Sequence, residues 1–375
     1  MRFLIISHVL HKKVGGVFFA YGPYVKEMNL WFDHVGEVAV VAPLTTLLSP
    51  DSIDLPYKHS KISFHSVPEF DFISWKAKFK TLISLPKIFV TVISEIKKAD
   101  HIHLRCPGNM GLVACFAQIF FPGKIKSAKY AGNWDLQSIQ PTTYRLQQKI
   151  LSNEILTQNM QVMVYGDWGQ NSRNLVSFFT ASYSEMDREA IEPRIFAPDQ
   201  PIQLIFVGSL HPGKNPMISC QVANQLSEKG LKVELHLYGE GEQRQEIQTF
   251  ITDNNLKEVI FLHGNVKADT LREAYKNAHF LIFASESEGW PKVVAESMFW
   301  ACLPVTTPVS CVPQMIGNGS RGELVSKNTQ EITNRVIALI QDESLYRTKC
   351  LGARDWSQTY TLEKLDSEIQ KLLAK

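Results

Sequence analysis

Two carboxylates, Glu288 and Glu296, stand eight positions apart where the chain turns from a strand end into a helix, within Ala284 to Thr307. Glu288 falls in the loop Ser285-Glu286-Ser287-Glu288-Gly289-Trp290, and Glu296 on the helix that Pro291 opens, where a missing N–H costs nothing. A helix start beneath a glycine-containing loop presents unpaired N–H groups and the positive end of the helix dipole, which suit an anionic ligand. Lys214 lies in a second strand-to-helix loop that begins at Gly208 and Ser209. That loop lacks the full P-loop pattern, and Asn215 replaces the Ser or Thr that would hold magnesium, so Lys214 is expected to neutralise a diphosphate without a metal. The plainer reading is that Glu288 caps the helix and Glu296 faces solvent.

The elements that position these residues follow from apolar patterning. Runs at Ile202–Val207, Leu231–Tyr238, Val259–Leu262, Phe280–Ala284 and Leu303–Thr307 alternate with helical segments, which predicts a doubly wound α/β domain. The first half repeats the theme with strands at Phe3–Ser7, Val35–Val41, Asp100–Arg105, Ala128–Tyr130, Gln161–Tyr165 and Phe178–Tyr183. Its first helix is expected over Val17–Phe32, after a loop carrying Lys12, Lys13, Gly15 and Gly16. The glycine pair lets a backbone approach a phosphate, or simply makes a tight turn. Arg105, Asn133 and Asp135 sit at or just beyond carboxyl ends of strands, where such sheets bind ligands, and are candidates there. His101 and His103 alternate on a strand and read as packed residues.

The charged, proline-bearing segment 184–201 marks an interdomain connection. Domains are therefore expected at 1–195 and 196–356, with a C-terminal helix over 357–375 that could cross back to the first domain. Two such domains imply a cleft.

The totals exclude several classes. With Lys+Arg 39 against Asp+Glu 37 in 375 residues, a net charge of +2 gives no bulk electrostatic footprint for nucleic acid. The six cysteines form no C-x-x-C pair and read as reduced core residues, which favours the cytoplasm. The N-terminal MRFLIISHVL breaks at His8 and reads as a buried strand rather than a secretory leader. No apolar stretch reaches the ~20 residues needed to span a bilayer. Ile73–Lys98, with six lysines among aromatic and aliphatic residues, suits an anionic membrane surface, or equally a Pro86-kinked helix with a solvated lysine face.

The second half then carries a resemblance. Gly208-Ser209-Leu210 with Lys214, Tyr238-Gly239-Glu240-Gly241, Leu262-His263-Gly264-Asn265-Val266, and Glu288-Gly289-Trp290-Pro291 with Glu296 and Pro304-Val305 resemble the retaining nucleotide-sugar glycosyltransferases of family 4. The likeness is to those of bacterial surface-polysaccharide type. It implies the GT-B fold, two Rossmann-like domains facing across a cleft, and an enzyme moving a sugar from a UDP- or GDP-sugar to a glycan or lipid-linked acceptor without metal or cofactor. By position it implies that Glu288 contacts hydroxyls of the transferred sugar and that Glu296 takes the two ribose hydroxyls. Lys214, the Gly15-Gly16 loop and the N–H groups around Gly289 to Pro291 would hold the diphosphate, while Gly239, His263, Gly264 and Val266 would line the base pocket.

Three departures stand out. Ser209 occupies a position where the family usually has arginine, Ser310-Cys311 one where Gly-Gly is common, and Gln314 one where glutamate is common. The competing readings are a nucleotide-sugar-binding partner subunit without transfer, for which Ser209 is the hint, and a nucleotide-sugar epimerase on the same fold.

Overall fold

The structure, a computed structural model, describes residues 1–46, 49–51, 53–69, 75–169 and 172–374, with 75–83 as backbone only. The chain divides into two units, Met1–Phe179 with Lys364–Lys375, and Thr180–Glu363.

In the first unit β1 (Arg2–Ile6) leads into the hairpin β2 (His11–Val14) and β3 (Val17–Tyr21), then α1 (Gly22–Phe32). There follow β4 (Glu37–Thr45), β5 (Asp54–Pro56), β6 (Ile62–Val67), α2 (Trp75–Lys98), β7 (His101–Cys106), α3 (Asn109–Ala117), β8 (Ile125–Tyr130), α4 (Thr142–Leu151), β9 (Met160–Tyr165) and β10 (Leu175–Phe178). Among the described residues the sheet order is β10-β9-β8-β7-β1-β4-β2-β3-β5, with β6 also on β4. The pairs are parallel except β2 with β3 and β3 with β5. Strand β1 is a continuous apolar run because helices cover both of its faces, and Leu4 and Ile6 pack under Ile88, Val92 and Ile96 of α2 and Met110 of α3.

The expected helix over Val17–Phe32 is corrected here. Gly15 and Gly16 take φ of +57° and +84°, the backbone of a two-residue hairpin turn, so Val17–Tyr21 folds back antiparallel on β2. The helix starts only at Gly22, where Pro23 sets its first turn. The strand expected over Phe178–Tyr183 ends at Phe178, and β5 and β6 were not anticipated. Of the stretch Ile73–Lys98, residues 73–74 lie outside the described residues; from Ser84 onward one face of α2 packs on the sheet, with Glu95 paired to Arg2 at 2.8 Å and Lys98 at 2.6 Å. Among the described residues no helix is long and apolar enough to cross a membrane.

The second unit alternates β11 (Ile202–Val207), α5 (Pro216–Glu228), β12 (Val233–Tyr238), α6 (Arg244–Asp253), β13 (Ile260–Gly264), α7 (Ala268–Asn277), β14 (Phe280–Phe283), α8 (Lys292–Phe299), β15 (Leu303–Thr306), α9 (Val312–Met315) and β16 (Glu323–Leu324). Helices α10 (Thr329–Gln341) and α11 (Glu343–Ser357) follow. The six strands form one parallel sheet, β13-β12-β11-β14-β15-β16. The order reverses beside β11, so the loops after β11 and β14 leave neighbouring strands at the switch point, where parallel sheets bind ligands.

The division falls at Phe179 and Thr180 rather than near residue 195, because 180–195 is bonded to the second unit. Arg272 pairs with Asp187 at 3.0 Å, Lys276 with Glu189 at 2.9 Å, and Arg354 donates to Ile191 O at 2.7 Å. The last helix, α12 (Leu362–Leu373), buries Leu365, Ile369 and Leu372, and His34 donates to Asp366 at 2.6 Å within the first unit. All six cysteines are buried and free.

Candidate functional site

In the second unit the strand-end loops are knitted together by glycines. Gly208 N–H donates to Tyr238 O at 2.9 Å, and Gly239 N–H to Gly264 O at 2.9 Å. Gly239 has φ of +141°, and a Cβ there would stand 1.9 Å from Gly208 O, so this approach requires glycine. Gly208, Gly239 and Gly264 are thus brought together in three adjacent loops. His263, beside them, donates to or accepts from His236 at 2.8 Å and stacks on Tyr238 with ring centroids 4.5 Å apart. Val266 follows, partly exposed, and Ser209 is exposed between Gly208 and the buried Leu210.

The loops after β11 and β14 are bonded to each other. Glu286 N–H donates to Gly213 O at 2.9 Å, and Asn215 Nδ2 to Ala284 O at 2.8 Å. This cross-bracing places the Lys214 ammonium on the Glu288 carboxylate as an ion pair, and 5.6 Å from the centroid of the Phe283 ring. Glu288 therefore does not cap the helix in the manner of the plainer reading; its carboxylate takes the lysine. Pro291 stands at the N-cap of α8.

A third loop supports the second. Ser310 Oγ donates to Gly289 O at 2.9 Å, and Thr307 Oγ1 to Ser285 O at 2.6 Å. Ser310 does this from φ of +51°, a left-handed backbone that favours glycine. The side chain that stands in place of a glycine is the one that secures the Glu288 loop, a role that spacing alone did not disclose. Trp290 leans the other way, its ring 6.3 Å from Trp356 and 5.7 Å from Tyr360.

Glu296, partly buried on α8, accepts from Ser182 Oγ at Oε1, 2.5 Å away, and from the Tyr275 hydroxyl at Oε2, 3.3 Å away. Burial keeps the Tyr275 phenol neutral, far above its ordinary range, so it remains a donor to the carboxylate. Neither partner was foreseen: Tyr275 reads as one more apolar-face residue of α7, and Ser182 as part of a strand.

In the first unit, Arg105 and Lys129 converge on Glu27 of α1, at 3.5 Å and 2.8 Å. Burial would push the Glu27 carboxyl up, but Lys129 and then Arg105 hold it down at about 2. Burial lowers Lys129 to about 8 against the pull of Glu27. Arg105 also lies over the Tyr24 ring at 5.5 Å, so its guanidinium belongs to a buried ion cluster. Asn133 and Asp135 are near one another and build the loop after β8: Asn133 Oδ1 accepts from Asp135 N–H at 2.9 Å, and Asp135 Oδ1 from Gln137 N–H at 2.9 Å. Gly15 and Gly16 form the hairpin turn, and Lys12 is held by Asp51 at 2.5 Å and Asp54 at 2.7 Å.

Two α/β units, each built on a wholly or mainly parallel sheet, are the architecture of the GT-B fold. Residues 187–350, within the second unit, match the family described as glycosyl transferases group 1. The chain is 25% identical over 169 residues to the protein described as uncharacterized glycosyltransferase MJ1178 of Methanocaldococcus jannaschii, covering 45% of this chain and 46% of that one. It is 24% identical over 201 residues to the putative colanic acid biosynthesis glycosyltransferase WcaL of Escherichia coli K12, covering 50% of each. The chain thus spans about half the length of the curated relatives it matches. Among solved structures, Alr3699/HepE of Anabaena in complex with UDP superimposes with a TM-score of 0.71 at 14% identity, covering 100% of this chain and 99% of that one.

Proposed function

We propose that the chain transfers a sugar from a nucleoside diphosphate sugar to an acceptor hydroxyl in glycan biosynthesis, with retention at the anomeric carbon and without a metal. The observation that carries this is the meeting of Lys214 and Glu288 at the sheet's switch point, in loops braced by Gly213 and Ser310. Glu288 accepts hydrogen bonds from hydroxyls of the transferred sugar, and Glu296 from the ribose diol, since a carboxylate has lone pairs for both. Lys214 and the N–H groups of Gly289 and Trp290 receive the diphosphate. As the bond from the anomeric carbon to phosphate oxygen breaks, its electron pair leaves with the phosphate. The growing charge meets these donors in the transition state more than in the ground state. The acceptor hydroxyl attacks from the same face and gives its proton to the departing phosphate oxygen, so no protein nucleophile takes part.

The match to glycosyl transferases group 1 supports transfer, and a structural neighbour described with UDP supports a nucleoside diphosphate ligand, UDP or GDP. The description of WcaL in colanic acid biosynthesis supports a polysaccharide or lipid-linked acceptor, for which the first unit's Asn133 and Asp135 remain candidates, while Arg105 is engaged by Glu27. The lysines of Ile73–Lys98 add a contact for an anionic bilayer at the cytoplasmic face, tested by sedimentation with anionic vesicles.

The test of the activity is a panel of UDP- and GDP-sugars with glycan acceptors, read as release of nucleoside diphosphate with and without EDTA and as the anomeric configuration of the product. Binding with no release for any acceptor makes the protein a non-transferring partner subunit. An altered donor sugar formed without acceptor makes it an epimerase.

A further inference from the structure

The carboxylate that the reading above gives to the ribose is engaged by two hydroxyls of the protein itself, and these differ in kind. Tyr275 is fully buried in α7, so its hydroxyl is fixed beside Oε2. Ser182 is only partly buried, lies on an irregular segment, and comes three residues after Phe179, where the chain passes into the second unit. Its Oγ donates to Glu296 Oε1 at 2.5 Å, the length of a charge-assisted O–H···O⁻ bond. A ribose hydroxyl approaching Oε1 along the same lone-pair direction needs the place that Ser182 Oγ holds.

The segment by which the chain later leaves the unit meets the same helix. Ser357 Oγ donates to Ala295 O at 2.6 Å, and Gln358 Nε2 to Phe299 O at 3.1 Å. Leu362 N–H then donates to Tyr183 O at 2.9 Å, joining the outgoing segment to the incoming one beside Ser182. Both passages into and out of the second unit are thereby bonded around α8, and of these contacts the Ser182 hydrogen bond is the one that ends on a proposed ligand-binding atom.

We infer that Ser182 competes with the nucleotide ribose for Glu296 Oε1, so that binding a nucleoside diphosphate releases the Ser182 hydroxyl from the Glu296 carboxylate. This rests on the assignment of Glu296 to the ribose. The exchange conserves hydrogen bonds: Glu296 trades the serine hydroxyl for a ribose hydroxyl, and the serine hydroxyl turns to water. Affinity is then lower than the site would have without the competitor.

The experiment is calorimetric titration of UDP and GDP, and of their 2′,3′-dideoxy analogues, into the full chain and into Ser182→Ala, Ser182→Thr and Glu296→Ala. Ser182→Ala is expected to bind the ribonucleotide about 3- to 10-fold more tightly, the worth of one displaced hydrogen bond. Ser182→Thr keeps the hydroxyl and stays near wild type. The dideoxy analogue, which does not compete for Oε1, binds wild type and Ser182→Ala alike. Unchanged or weaker ribonucleotide binding by Ser182→Ala, with Glu296→Ala impaired, overturns the competition and leaves the ribose assignment standing. The same gain for the dideoxy analogue also overturns it. Wild-type binding by Glu296→Ala removes the ribose assignment, and the inference with it.

Discussion

Lys214 and Glu288 are ion-paired between the loops that follow β11 and β14, with side chains 29% and 10% exposed. In the proposed transfer this cation and anion serve opposite ends of a sugar diphosphate, so loss of either would remove one donor or acceptor from the transition state. Lys214→Ala and Glu288→Ala are each expected to lower kcat by at least ~10²-fold. Because the two residues share one contact, the double variant should lose less than the sum of the single losses. Steady-state kinetics on the best donor checks both, and near-native kcat in either single variant refutes the assignment.

Ser310 offers a separable test of loop support. Ser310→Gly relieves a left-handed residue but deletes the bond to Gly289 O. Thermal stability should hold or rise slightly, since glycine avoids a cost of about 1 kcal/mol in that backbone. Turnover should nevertheless fall several-fold, as the Glu288 loop loses its tether. Comparing Tm with kcat in one preparation decides the matter.

The hairpin predicts tolerance. Nothing lies within 4 Å of a Cβ built on Gly15 or Gly16, and both have positive φ. Gly15→Asn creates the Asn-Gly pair that this turn type prefers, so stability should be unchanged or higher. A rise in the Km for donor without a loss of stability would instead show that the turn backbone touches phosphate.

The cluster of Glu27, Lys129 and Arg105 predicts the reverse. Glu27→Gln leaves two buried cations facing an uncharged amide and should destabilise the first unit by about 3–5 kcal/mol. Urea denaturation at neutral pH, where the Glu27 carboxylate is fully charged, measures this; a loss under ~1 kcal/mol would mean that water reaches the cluster.

Acid should weaken the first unit early. Burial lowers His11 and His101 to about 4 and His103 to about 3, the last despite the opposing pull of Glu27. The unfolded chain binds these protons below about 6.5 while the folded unit refuses them. Their neutral forms therefore cost nothing above pH ~6.5, and stability falls as pH drops from there toward 4, by up to ~1.4 kcal/mol per pH unit for each histidine. His103→Gln should flatten that slope in urea midpoints taken between pH 7 and 4.5.

The sequence by itself determined the parallel sheets and the loops at their carboxyl ends. Strands covered on both faces must be apolar throughout, and Ile202–Val207 and Phe280–Phe283 are written that way. It also singled out Glu288, Glu296 and Lys214 at those loops, by residue type and spacing. The hairpin was less legible, since the apolar residues of Val17–Tyr21 fit a helix face as readily as a strand. Only the tertiary structure decided which polar groups meet. Arg105 reads as a ligand residue until Glu27 of α1 is seen beneath it, and Glu296 as a free carboxylate until Ser182 and Tyr275 reach it from distant parts of the chain. A hydrogen bond or ion pair needs its two atoms within about 3 Å, and local periodicity carries no information about which distant segments the fold brings that close.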